Sequence, residues 1–208
     1  MICQRTRGYG KMRVGTRQGL AKYLFDFVYD RQIRNLRGSG KMLVFSLNRM
    51  SLPADQVLHK LEERGIRINH YAEKYISHPR FSAGQPGEIT AAVVSLEELG
   101  LENGASLEEL FRHIQGTPFR PCPPDTGFFL RLAWTDQPQS GNSILTGTHR
   151  SPDQAVTVLS EILEQDDAFP KGLYLRKVDG ELWLRGYVCD PAYHFPGETL
   201  FAFETRRT

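Results

Sequence analysis

The chain has 208 residues, of which 40% are hydrophobic and 24% are charged, and this is the composition of a globular protein. These proportions exclude a disordered or fibrous chain. The three cysteines, Cys3, Cys122 and Cys189, are odd in number and widely spaced, which predicts free thiols in a reducing compartment. No segment reaches the roughly 20 apolar residues of a membrane span. We therefore expect a cytoplasmic protein with no membrane partner.

Positive charge is concentrated at the N-terminus. Residues 1–41 contain ten Lys or Arg against two Asp, about +8, whereas the remaining residues contain 16 against 22, about −6. In residues 1–17, cationic side chains alternate with glycines, which is typical of a flexible arm that can lie along a phosphate backbone. The alternative is a solvated tail without a partner. We predict a basic arm over residues 1–17 and one domain over residues 18–208.

The first half of that domain contains three predicted helices. Apolar spacing predicts a helix over residues 18–33, and an apolar run predicts a strand over residues 41–47. The next helix begins near Pro53 and ends at Gly65, a natural C-cap. An extended segment at 66–68 and a short helix over 70–78 follow.

The second half alternates strands and helices. Residues 88–96 predict a strand, and Ser106 with Glu109 predicts a capping box at the start of a helix. After a Pro-rich loop at 118–124, the apolar run 128–134 predicts a strand, and residues 151–163 predict a third long helix with proline in its first turn. The predicted helices should bury these side chains: Leu58, Leu61, Leu110, Phe111, Leu159 and Ile162.

A β-hairpin near the C-terminus is the clearest local signal. Asp179 and Gly180 separate two alternating runs, and this dipeptide favours a two-residue type I′ turn. That loop length places Leu175 opposite Leu184. A last strand is predicted over residues 200–203. The predicted fold class is α+β, with a mixed or antiparallel sheet that includes the C-terminal hairpin and packs against several helices.

Two stretches resemble a family of bacterial proteins to which no activity is assigned. One is ADQVLHKLEERGIR followed by VVSLEELGL, and the other is CPPDTGFFLRLAW followed by PKGLYLRKVDGELWLRGY and LFAFE. Together they cover residues 40–204 and leave the basic arm outside. Residues 66–69 depart from the RGYRPA wording of the family. The resemblance implies a shared fold and no function.

Cys122, Asp125 and His149 are the weak catalytic candidates. A cysteine nucleophile needs an imidazole to populate its thiolate and a third group to orient that imidazole. These residues predict a small cysteine- or carboxylate-dependent hydrolase or transferase. The alternative is that Cys122, which lies among prolines, only fills space in the core.

The sequence offers no complete metal site. His70 and Glu73 are one helical turn apart and could supply two ligands, but no third ligand accompanies them. We interpret them as a surface pair and predict neither a metal nor a cofactor.

The second face of the hairpin combines aromatic rings with guanidinium groups, which suits stacking against nucleobases, flat ligands or a protein partner. Its residues are Tyr174, Arg176, Trp183, Arg185 and Tyr187. The alternative is that a helix covers this face and buries Trp183 and Tyr187 as core. The preferred hypothesis is a non-catalytic binding or interaction protein, with a protein or a nucleic acid as partner.

Overall fold

The computed structural model describes residues 30–35, 41–82, 86–141 and 152–205. The helices are α1 Ala54–Glu63, α2 His70–Ile76, α3 Leu107–His113 and α4 Thr126–Ala133. The strands are β1 Asp30–Asn35, β2 Lys41–Arg49, β3 Arg67–Ile68, β4 Gly87–Ser95, β5 Ala105–Ser106, β6 Phe119–Arg120, β7 Val156–Val158, β8 Gly172–Val178, β9 Glu181–Tyr187, β10 His194–Phe195 and β11 Leu200–Thr205. Short 3₁₀ turns lie at Glu97–Leu99 and Ile114–Gly116. The α+β prediction is confirmed.

One large mixed sheet organises the described residues. Its strands lie in the order β1-β2-β4-β11-β7-β8-β9-β3, and β6 pairs with the end of β11. The β11–β7 and β9–β3 pairs are parallel, and the other pairs in this sheet are antiparallel. Strands β5 and β10 form a separate two-stranded sheet.

Apolar side chains cover both faces of the large sheet. On one face, residues of α1, α2 and α4 form the larger core with Phe45 and Leu47 of β2 and with three leucines of the hairpin. On the opposite face, Leu110 of α3 packs with side chains of β4 and β11. All eight residues of α4 are buried, so this helix lies entirely within the larger core.

The hairpin has the predicted register. Asp179 and Gly180 both have positive φ, 50° and 80°, as a type I′ turn requires, and Leu175 lies opposite Leu184. Leu173, Leu175 and Leu184 are fully buried in the larger core. The residues that alternate with them therefore lie on the opposite face of the sheet.

Helix α2 covers the leucine side of the hairpin. Its N-cap residue, Asn69, exchanges two hydrogen bonds with the backbone of Gly186, of 2.8 and 3.0 Å, and so extends the pairing of β3 with β9. A Cβ at Gly186 would lie 2.4 Å from the carbonyl carbon of Tyr71, so glycine allows α2 to pack this closely. This packing leaves the aromatic side of the hairpin on the face away from α2.

Several other local predictions are confirmed. Gly65, with φ of 63°, follows α1, and α2 ends two residues before His78. Ser106 and Glu109 form the predicted capping box of α3. The strands predicted over residues 41–47, 88–96 and 200–203 correspond to β2, β4 and β11.

The strand predicted over residues 128–134 is wrong, because this run belongs to α4. A short apolar run does not distinguish a buried strand from a buried helix. Here the chain lies within the core on all sides, and apart from Thr126 and Arg131 the residues of the helix are apolar. Pro123 and Asp125 accept backbone hydrogen bonds that begin its first turn.

The helix predicted over residues 151–163 is also wrong, although the predicted burial largely holds. Pro152 accepts a turn hydrogen bond from Ala155, and β7 then lies between β11 and β8. The β-branched residues of β7 suit this interior position, and strand pairing prevails over the helical pattern. Leu159 is buried and Ile162 is half-buried in this extended segment. Of the other four side chains, Leu61 and Leu110 are buried, and Leu58 and Phe111 are partly buried.

The helix predicted over residues 18–33 is contradicted at its end, because residues 30–33 belong to β1 and pair with β2. Pairing with the edge of the sheet supplies backbone hydrogen bonds that replace those of a helix. Residues 18–29 and the basic arm, residues 1–17, lie outside the described residues.

Candidate functional site

The hairpin face carries a mixed stack of rings and a cation. The Arg185 guanidinium lies 5.4 Å from the Trp183 ring centroid and 5.9 Å from that of Tyr174, its cross-strand partner. All three side chains are half-buried. This is the geometry of cation–π contact, which holds the guanidinium close to both rings.

Arg176 and Tyr187 occupy the two ends of this face and are less accessible. Arg176 is 7% exposed and donates from Nη2 to the carbonyl of Gly141 at 3.0 Å. The Tyr187 ring packs edge-to-face on Phe195, and burial raises the pKa of its phenol. The predicted binding residues therefore share one face and differ in how much of each a ligand can reach.

Three donors on the hairpin face are buried without an acceptor. They are Nε of Arg176, Nε of Arg185 and the hydroxyl of Tyr187, and none has a hydrogen-bond partner in the part of the chain that the structure describes. Within the described residues, neither arginine forms an ion pair with a carboxylate. Because buried donors are normally paired, this face has an unused capacity for acceptor atoms.

Two of the three catalytic candidates lie close together on the opposite face of the sheet, at the Pro-rich loop. Cys122 is fully buried, and its amide donates to the carbonyl of Leu159 at 2.7 Å. Burial raises the pKa of its thiol. The thiolate that a nucleophile requires is therefore disfavoured at this position. His149 lies outside the described residues.

Asp125 is held in a buried ion pair with Arg49 of β2. Nε of Arg49 donates to Oδ1 at 2.8 Å and Nη2 donates to Oδ2 at 3.0 Å, and both side chains are at most 6% exposed. Burial raises the pKa of Asp125, and the hydrogen bonds from Arg49 oppose that shift. Both carboxylate oxygens serve this pair, which ties the Pro-rich loop to the sheet.

A layer of hydroxyls behind the Pro-rich loop escapes sequence reasoning. The hydroxyls of Tyr75, Thr126 and Ser160 are buried, and no residue in the described ranges forms a hydrogen bond with them. Ser160 forms a parallel bridge with Cys122, and Thr126 begins α4. The chain brings these residues together from α2, α4 and the segment after β7, and no spacing in the sequence predicts that.

A cleft of about 670 Å³ lies beside the same loop. Its charged lining consists of Arg49, Arg80, Arg120, Glu88, Glu161 and Glu204. Arg120 is paired with Glu204, and Arg80 donates to the carbonyl of Ile162 at 3.3 Å. Because both signs of charge alternate along its walls, the cleft does not favour an anion or a cation.

Arg131 of α4 is a second polar group that the sequence does not reveal. It is fully buried and donates from Nη1 to Oε1 of Gln137, and its Nε and Nη2 have no partner among the described residues. Burial lowers the pKa of this guanidinium to about 10, whereas the negative charge of Asp136 acts to raise it. Gln137 in turn donates to carbonyls of Gln154 and Leu175, so the pair links α4 to the hairpin.

The remaining sequence candidates do not assemble into a site. His70 and Glu73 are exposed. No three His, Cys, Asp or Glu side chains of the described residues come together as metal ligands. A helix long and apolar enough to span a membrane is likewise not found among the described residues.

Comparison with models of protein families, with curated proteins and with solved structures finds no match for the chain. The resemblance to a family of bacterial proteins therefore stays a prediction, and the functional argument depends on the geometry alone.

Proposed function

We propose that this protein is a non-catalytic binding protein and that the hairpin face is its binding surface. The observation that carries the proposal is the half-buried stack of Trp183, Arg185 and Tyr174. Partly accessible rings on an antiparallel sheet offer a platform for flat groups, and a guanidinium between them adds attraction for anions.

Single-stranded nucleic acid is the partner class with the matching chemistry. Its bases are flat, and its phosphates are anions that the half-buried guanidinium of Arg185 attracts. The basic residues of 1–17 would add phosphate contacts that do not depend on the base sequence. A double strand hides its ring faces, so we expect it to bind more weakly.

The state of the Pro-rich loop supports binding in preference to catalysis. A catalytic cysteine needs an accessible thiolate, whereas Cys122 is fully buried. A catalytic carboxylate needs a free oxygen, whereas both oxygens of Asp125 accept hydrogen bonds from Arg49.

Fluorescence anisotropy with labelled single- and double-stranded oligonucleotides tests the proposal. The single strand should bind at about 50 mM salt, and Trp183→Ala should weaken binding by about 1 to 3 kcal/mol at every salt concentration, since stacking is little affected by screening. Tyr71→Ala is the matched control, because Tyr71 is an exposed aromatic residue of α2 on the leucine side of the hairpin.

Thermal unfolding of each variant separates lost binding from lost folding. If Trp183→Ala lowers the melting temperature, Arg185→Ala provides the second test, because it removes the cation and keeps both rings. Absence of binding to either oligonucleotide at about 50 mM salt would refute the nucleic-acid proposal.

A further inference from the structure

A small pocket opens at one end of the hairpin face, where the face meets β10. Its volume is about 170 Å³, and its aromatic walls are Tyr174, Tyr187, Tyr193 and Phe195. We name it the tyrosine pocket. The Phe195 ring stands at 84° to Tyr193 and 89° to Tyr187, so ring faces and ring edges both line the space. This volume is below the roughly 300 Å³ of pockets for drug-sized ligands and suits a single ring system.

The position of the Tyr187 ring depends on Gly172, the residue opposite it on β8. A Cβ at Gly172 would lie 3.1 Å from Cε1 and 3.2 Å from the hydroxyl oxygen of Tyr187. The ring therefore lies across the glycine backbone, an arrangement that a side chain would crowd. The hydroxyl held there is one of the three buried donors without an acceptor.

An arginine lies beyond one wall of the tyrosine pocket. Tyr174 lines the pocket and is paired with Arg185 on β9 and with Thr157 on β7. Thr157 also lines the pocket. Arg185 therefore contacts Tyr174 from the side of Tyr174 that faces away from Thr157. Arg176 lies two residues along β8, and it is 7% exposed with an unpaired Nε. The Tyr174 ring therefore lies between the pocket and the guanidinium of Arg185.

We propose that the tyrosine pocket holds one nucleobase and that Arg185, beyond the Tyr174 wall, binds the phosphate of the same nucleotide. The inference rests on the proposed function of the hairpin face and assigns the place on that face where one base binds. The rings would stack on the base, the Tyr187 hydroxyl would donate to a base acceptor, and the guanidinium would pair with the phosphate. The nucleotide could be free or part of a strand.

Titration calorimetry with AMP tests the free form. Adenosine lacks the phosphate and ribose 5-phosphate lacks the base, so each should bind at least about tenfold more weakly than AMP if both halves of the site act together. A single-stranded oligonucleotide, followed by anisotropy, tests the strand form.

Tyr187→Phe is the sharpest variant, because it removes only the hydroxyl. That hydroxyl has no partner among the described residues, so the melting temperature should not fall. The affinity for AMP or for the strand should fall about 3- to 10-fold. Arg185→Ala should weaken the binding of AMP more than the binding of adenosine. Arg112→Ala, which removes an exposed arginine paired with Glu108, is the control for lost charge.

Cys189 gives a readout that reports location. Its side chain lines the tyrosine pocket and is half-buried, whereas Cys122 is fully buried elsewhere. Bound AMP or strand should slow alkylation of Cys189 by N-ethylmaleimide, measured by peptide mass spectrometry. Alkylation that stays unchanged at saturating AMP or strand would overturn the assignment of the pocket.

The remaining outcomes separate this proposal from the proposed function. If the strand binds and Trp183→Ala weakens it, but Tyr187→Phe and Arg185→Ala bind AMP and strand as the unmodified protein does, the pocket proposal is overturned and the binding face remains. If neither AMP nor the strand binds, both proposals are overturned. If only the strand binds and Tyr187→Phe weakens it, the nucleotide in the pocket belongs to a strand.

Discussion

The hairpin face and the Pro-rich loop lie on opposite faces of one sheet, and both contain arginines and buried donors without partners. At the loop, the charges are paired with each other, as in Arg49 with Asp125, and this ion pair is buried although a cleft lies beside the loop. On the hairpin face, Arg185 stacks on half-buried rings and has no carboxylate partner among the described residues. Accessibility, and not the presence of reactive side chains, thus distinguishes the proposed binding face from the Arg49 and Asp125 pair at the Pro-rich loop.

The largest expected effect comes from replacing one arginine with alanine in each of the two regions. Arg49→Ala leaves the Asp125 carboxylate buried without its partner and should lower the free energy of unfolding by about 3 to 5 kcal/mol. Arg185→Ala removes a half-buried side chain with no carboxylate partner and should cost at most about 1 kcal/mol. Urea denaturation measures both.

A double variant checks the cause of that difference. Arg49→Met with Asp125→Leu removes both charges and should recover much of the stability that Arg49→Ala loses. Equal losses for Arg49→Ala and Arg185→Ala would contradict the distinction between the two regions.

The thiols provide a second comparison. Cys122 is fully buried, and burial raises the pKa of its thiol. Cys189 is half-buried on the hairpin side, and burial raises the pKa of its thiol less, to about 11. Alkylation of Cys122 requires opening of the core, so it should be at least about 100-fold slower than that of Cys189 in the native protein. Quenched labelling followed by mass spectrometry gives both rates. Comparable rates would show that Cys122 is accessible and would revive the nucleophile hypothesis.

The sequence predicts the parts of this fold that depend on local chemistry. The type I′ turn at Asp179 and Gly180 and the capping box of Ser106 are specified by residues within three positions of each other. Helix α4 and strand β7 are not specified by neighbouring residues, because their environments are set by the strands that pack around them. Their burial was predictable from apolar content, whereas their conformation was not.

The candidate site divides in the same way. Alternation along the hairpin predicts that Trp183, Arg185 and Tyr174 share a face, because a two-residue turn sets the register. The Arg49 and Asp125 pair is 76 residues apart in sequence, and nothing local indicates it. The tyrosine pocket likewise depends on the β10 segment approaching the hairpin, which only the tertiary structure shows.

The basic arm provides a third, smaller test. The arm would act through phosphate charge, whereas the hairpin face would act through stacking, so salt separates them. Deletion of residues 1–17 removes five cationic side chains and should reduce the slope of log affinity against log salt by up to about 3.5 for a single strand. Anisotropy titrations at several salt concentrations measure the slope. An unchanged slope would confine binding to the hairpin side.

The smallest expected effect again pairs the two regions, by removing one orphaned hydroxyl from each. Ser160 lies behind the Pro-rich loop with a buried hydroxyl that has no partner, so Ser160→Ala should change the free energy of unfolding by less than about 1 kcal/mol and leave oligonucleotide binding unchanged. Tyr187→Phe should be equally mild in denaturation but weaken binding. If Ser160→Ala costs more than about 2 kcal/mol, the hydroxyls behind the loop form a hydrogen-bonded network. If Ser160→Ala weakens binding as Tyr187→Phe does, the loop takes part in binding and the two regions are not separate.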